Sequence, residues 1–176
     1  MLLRKINAGF SLISMFLIMD HAIFHAAWML SRGSIPKTAG YMPWILVCCM
    51  AIHAFISIDL AISAHVGIEK RKCKSYPKLN VSTNVQRASG ILMILFTALH
   101  IAGTTGVLTP PQAVHAILPP VFFAVSLAHV AVSTSNALIT LGIGNVKFVK
   151  IVDALVKILC IVTLVADVIG FYLYLV

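Results

Sequence analysis

Five stretches of the chain are apolar almost throughout, and polar or charged segments separate them. They cover roughly residues 7–30, 42–66, 88–107, 118–143 and 148–175. Crossing ~30 Å of hydrocarbon takes about 20 residues of helix, and each stretch meets that length. Bare backbone polar groups are not tolerated in lipid, and these stretches are far longer than the strands of a membrane barrel, so helices are the expectation. The separators carry turn chemistry: Arg32-Gly33-Ser34-Ile35-Pro36, Ser75-Tyr76-Pro77, Thr109-Pro110-Pro111 and Gly142-Ile143-Gly144. Pro119 and Pro120 suit the first turn of the fourth helix. The pattern predicts an all-α integral membrane five-helix bundle, one domain over residues 1–176, with no internal repeat or low-complexity tract.

Composition supports lipid as the solvent. The chain is 60% hydrophobic and 10% charged, with a mean hydropathy of +1.02. Soluble domains are nearer about half apolar and a quarter charged. The net charge of +8 does not indicate nucleic-acid binding, because the cations gather in the segments between spans. Met1 to Lys5 is basic, but the apolar stretch after it is too long for a signal-peptide core, so it reads as a span. Arg4, Lys5, Lys70, Arg71, Lys72, Lys74, Lys78, Arg87, Lys147 and Lys150 all fall on one side of a five-span chain. The first loop offers only Arg32 and Lys37, and the third has no charge. The positive-inside rule then places the N-terminus in the cytoplasm and the C-terminus outside, in a multi-pass cell membrane protein. Cys48, Cys49, Cys73 and Cys160 form no C-x-x-C pair, and C-x-x-C-H is absent, which excludes covalently attached haem and argues against a disulfide.

Histidines carry the candidate chemistry. His21, His53, His100 and His129 each sit inside a different apolar stretch. Ionisable side chains are costly in lipid and mark function there, and imidazole is the commonest metal ligand. At about 1.5 Å per residue, His21 and His100 lie roughly 21 and 18 Å from the inner surface, and His53 and His129 each roughly 14 Å. Depth therefore pairs His21 with His100 toward the outside and His53 with His129 toward the inside. Two pairs on four helices are the donor set for two haem irons. The plain alternative for any single histidine is an interhelical hydrogen bond.

Other polar residues have two readings each. His25, one turn beyond His21, is an alternative ligand, a propionate contact or a quinone contact. His65 at the inner end of the second stretch is a propionate candidate or an interfacial residue, and His115 is a loop residue. Arg87 is a propionate clamp or a positive-inside anchor. Ser89 and Gly90 are small enough to admit a porphyrin or a neighbouring helix. Asp20 is a quinone-proton residue or a structural acid. Asp59 and Asp167 are expected to be paired or to face a polar cavity. Asp153 and Lys157 are spaced for a local i,i+4 ion pair. The basic second loop is a platform for an acidic partner or anionic lipid.

The stretch Val85-Gln86-Arg87-Ala88-Ser89-Gly90-Ile91-Leu92, through Phe96 to His100, resembles the "QR-x-[ST]-G … F … H" segment of the cytochrome b membrane anchor of succinate:quinone oxidoreductases. Phe16-Leu17-Ile18-Met19-Asp20-His21 is similar to that family's first-helix ligand segment, and Ala51-Ile52-His53-Ala54 to its second. Ala128-His129-Val130 with Asn136-Ala137-Leu138-Ile139-Thr140-Leu141-Gly142-Ile143 resembles its "H-x-x-N-G-L … I-T-W-G-I" segment, without the usual glycine and tryptophan and with the asparagine farther from the histidine. The resemblance covers all five helices and implies the five-helix, single-subunit anchor with two b haems. It also implies the same two ligand pairs, a flavoprotein and an iron–sulfur subunit as partners, and menaquinone as the electron partner. No succinate-converting site belongs to the anchor itself. Electrons arriving from inside reach the outer haem last, so the quinone is expected beside it, with His25, Asp20, Arg32 and Lys37 as candidates. Some family members carry an outer glutamate near the quinol, whereas Tyr41-Met42-Pro43-Trp44 holds no acid here. Two rivals stand beside this reading. One is a di-haem anchor of another quinone-linked complex, of hydrogenase or heterodisulfide-reductase type. The other is a haem-free helical transporter or structural bundle.

Overall fold

A computed structural model describes residues 2–31, 42–71, 81–107 and 112–175, with side chains described in those ranges except at 42, 64–71, 81–83, 112–117 and 174–175. Among the described residues the regular elements are helices: α1 Leu2–Leu30, α2 Met42–Arg71, α3 Val81–Thr104, α4 Gln112–Thr140 and α5 Val146–Leu175. Every one contains a stretch long and apolar enough to cross a membrane.

The helices outrun the apolar stretches. α1 starts at Leu2 rather than near residue 7, and α3 at Val81 rather than near 88. Hydropathy marks the length that suits lipid, but the i to i−4 hydrogen-bond ladder continues through polar residues such as Asn84, Gln86 and Arg87. Pro119 and Pro120 are likewise not at a helix start. They lie within α4, which begins at Gln112. A proline removes one N–H donor and crowds the turn before it. Neighbouring helices and hydroxyl side chains can make good the freed carbonyls, so a membrane-type helix tolerates it.

The Gly142 turn is as the sequence suggests. Gly142 has φ +96, its N–H bonds to the Ile139 carbonyl at 3.0 Å, and the Ile143 N–H bonds to the Leu138 carbonyl at 3.2 Å. This pair of bonds around a left-handed glycine closes a helix C-terminus. Asn145 then caps α5, its Oδ1 accepting from the Phe148 N–H at 3.1 Å.

Packing divides the helices into a core and two flanks. α1 and α4 pack together, and α5 lies against both. α2 rests on α1 and α3 on α4, while α2 and α3 meet at most marginally. Of its apolar stretch, α4 buries 44%, whereas α3 buries 11% and α2 only 6%, so α4 is central and the flanks are open. Ile18, Met19, Leu46, Met93, Leu127, Val130 and Cys160, drawn from all five helices, make the apolar centre. Small residues bring α1 and α5 close: Ala22 and Ala26 are buried, and a Cβ on Gly170 would fall 2.9 Å from the Met29 Cβ. Without water to drive apolar burial, such close packing is a main source of helix association in lipid.

Candidate functional site: two imidazole pairs

The end of the bundle where α1 begins carries the near pair of histidines. His53 on α2 lies within electrostatic reach of His129 on α4. The far pair is His21 on α1 and His100 on α3, with His25 of α1 within the same reach of both. Each pair joins helices that touch marginally at most, α2 with α4 and α1 with α3.

The two levels are farther apart along the helices than the 4–7 Å obtained by counting from the ends of the apolar stretches. Ser89, which holds His129, lies eleven residues before His100 on α3, about 16 Å of helix. Asn7, which holds His53, lies fourteen residues before His21 on α1, about 21 Å. Counting failed because the helices extend beyond the apolar stretches at their ends.

The near pair is anchored by neutral acceptors. The Ser89 hydroxyl donates to the Val85 carbonyl at 2.6 Å and lies 3.0 Å from Nδ1 of His129. A hydroxyl has one proton, so toward His129 it accepts, and Nδ1 carries the hydrogen. The Gln86 main-chain carbonyl is a second acceptor near the same ring. His53 places Nδ1 3.3 Å from the Asn7 carbonyl, which also can only accept. Both rings are thereby held with Nδ1–H engaged and the Nε2 lone pair free. Asn7 in addition exchanges side-chain hydrogen bonds with Ser57, tying α1 to α2. Gly90 faces His129 so closely that a Cβ there would come 3.2 Å from its Cε1.

A cleft of about 210 Å³ opens beside this pair between the two flanks. His53 and Leu60 form one wall and Gln86 the other, with Asn7, Ser11, Ser133 and Thr140 along the floor. Arg4, exposed on α1, is the cation in its lining. Gln86 and Asn136 join across it, the Asn136 Nδ2–H donating to Oε1 at 3.1 Å. Arg87, the propionate candidate of the sequence, is exposed and not part of this lining. The side chain of His65, the other candidate, lies outside the described residues. Arg4 was missed because a cation next to an apolar stretch reads first as a topology signal.

The far pair sits among aromatic rings. Phe122 stacks on His100 with centroids 5.5 Å apart, and Phe123 faces His21 at 6.4 Å and His25 at 4.9 Å. His25 donates through Nδ1–H to Oδ1 of Asp167 on α5 at 2.7 Å. Asp167 is 1% exposed. Gly170, one turn along α5, permits the helix approach that makes this contact. Asp20 is half-buried and within electrostatic reach of His21. Arg32 and Lys37, the remaining quinone candidates, lie outside the described residues. So do Cys73 and the middle of the basic second loop.

Two intramembrane acids part ways with expectation or meet it. Asp59 is exposed on α2 with no partner among the described residues, because α2 has one close neighbour and most of its circumference is open. Asp153 and Lys157 form the local ion pair, and Ser135 joins Asp153 from α4.

Among the described residues no three His, Cys, Asp or Glu side chains gather as a metal cluster. A bis-imidazole iron needs only two. At the near site His53 and His129 engage Nδ1 and leave Nε2 as the nitrogen open to a metal. No protein-family model, curated protein or solved structure matches this chain.

Proposed function

We propose that this chain is a multi-pass membrane cytochrome b, the single-subunit anchor of a succinate:quinone oxidoreductase. In this reading two b haems are held by His53 with His129 and by His21 with His100. Haem supplies one-electron carriage, and the chain's own groups decide where it sits and at what potential. Axial ligand, hydrogen bonding behind the ligand and burial are the available levers. The observation that carries the reading is the pairing of four imidazoles at two levels of one apolar bundle.

Around those pairs each residue has a stated task. Ser89 and the Asn7 carbonyl hold the near imidazoles in the Nδ1–H form. Arg4, with the amides of Gln86 and Asn136, would meet the carboxylates of the near haem. Phe122 and Phe123 wall the far site and keep water from it. His25, with Nδ1–H donated to Asp167, presents Nε2 to accept a hydrogen bond from a menaquinol hydroxyl beside the far pair. The basic segment between α2 and α3 faces the iron–sulfur subunit, which a flavoprotein supplies with electrons. The ends that carry Arg4 and this segment lie in the cytoplasm, and α5 ends outside.

The test is the visible spectrum of the purified chain with a pyridine haemochrome assay. Two b haems per chain, reducible in succession, are expected. A colourless preparation ends the cytochrome reading. Co-purifying flavoprotein and iron–sulfur subunits separate this family from other quinone-linked complexes.

A further inference from the structure

We propose that Ser89 is a positioning residue for the near haem, acting through His129 to set that site's reduction potential; the proposal rests on the cytochrome reading. Three observations meet at this point. The hydroxyl donates to the Val85 carbonyl at 2.6 Å or the Gln86 carbonyl at 3.2 Å, which leaves its oxygen to accept from Nδ1–H of His129 at 3.0 Å, alongside the Gln86 carbonyl near the same ring. Ser89 is 7% exposed, which removes competition from solvent. Gly90 lets the ring lie against α3 with no side chain between, since a Cβ would crowd Cε1 at 3.2 Å.

The chemistry follows from the direction of that bond. An acceptor behind Nδ1–H fixes the ring's tautomer and orientation and raises the basicity of the opposite nitrogen. A more basic axial nitrogen favours ferric over ferrous iron and so lowers the potential. The donor already engaged at a main-chain carbonyl makes the hydroxyl oxygen a better acceptor, because successive hydrogen bonds polarise one another. Nothing equivalent stands behind His21 or His100 among the described hydrogen bonds, where the neighbours are aromatic rings. Ser89 therefore makes the two sites unequal.

The experiment is a redox titration, followed optically and by electron paramagnetic resonance, on the full chain purified from membranes with its accompanying subunits. Ser89→Ala is expected to raise the potential of one haem and move its low-spin signal, leaving the other haem unchanged. Ser89→Thr, which keeps the hydroxyl, is expected to restore both values. The haem that moves must be the one lost in a His53→Ala variant. Two haems with unaltered potentials in Ser89→Ala overturn the proposal while leaving the cytochrome reading intact. Loss of the near haem in Ser89→Ala supports it if Ser89→Thr keeps that haem, and overturns it if Ser89→Thr loses it as well. A wild-type chain without haem overturns the cytochrome reading, and this proposal with it.

Discussion

The near and far imidazole pairs use one residue type in two kinds of seat. The near pair is tied by its ring N–H groups to a hydroxyl and a backbone carbonyl, and a cleft lined by His53 and Arg4 adjoins it. The far pair is tied by no comparable bond among the described residues; phenylalanine rings flank it, and a buried His25–Asp167 contact stands next to it. Hydrogen-bond anchors fix a ring's rotation and electronic character, whereas aromatic walls fix mainly its position. A membrane bundle can thus give two similar imidazole pairs different surroundings.

The largest effect expected from this comparison is loss of one site at a time. His100→Ala should remove the far haem and leave the near one, and His53→Ala should do the reverse, each halving the haem content per chain. If His100→Ala retains both, the pairing is broken. The next effect concerns the ionisable contact that only the far site has. His25→Phe should lower quinone-linked turnover by about 100-fold, the low end of what a positioned acid–base group contributes. Both haems should stay, and dye-linked turnover by the soluble subunits should persist. Unchanged quinone turnover rejects His25 as the contact, and a missing haem makes it a ligand. The smallest effects come from the two tight glycines. Gly170→Ala puts a methyl group against the Met29 Cβ and the α1 backbone, and should cost about 1–3 kcal/mol in detergent unfolding. Gly90→Ala meets a movable ring instead, so it should cost about 1 kcal/mol and perturb the near-site spectrum alone.

Much of the architecture could be read from the chain because lipid imposes a length and a hydropathy that only helices satisfy. The helix ends could not, since polar residues such as Gln86 continue a helix without leaving an apolar mark. Likewise, His21, His53, His100 and His129, each inside a different apolar stretch, stand out as ligand candidates. Their supports are invisible for definite reasons. Asn7 contributes a main-chain carbonyl, which any residue has. Ser89 reaches His129 across 40 positions, and Asp167 reaches His25 across 142, so neither contact leaves a local pattern. Arg4 shows how one residue can carry two signals: in the sequence its charge reads as a topology mark, and its place in the cleft lining is a matter of three dimensions.

The separation of α2 from α3 has a consequence for how the protein is made. The two helices are neighbours in the chain, yet α2 seats on α1 and α3 on α4. During synthesis α2 therefore finds its support at once, while α3 emerges before the helix it rests against. The His100 and Ser89 face of α3 has no seat until α4 follows. The two flanks are therefore set at different moments of synthesis, α2 with α1 and α3 only with α4.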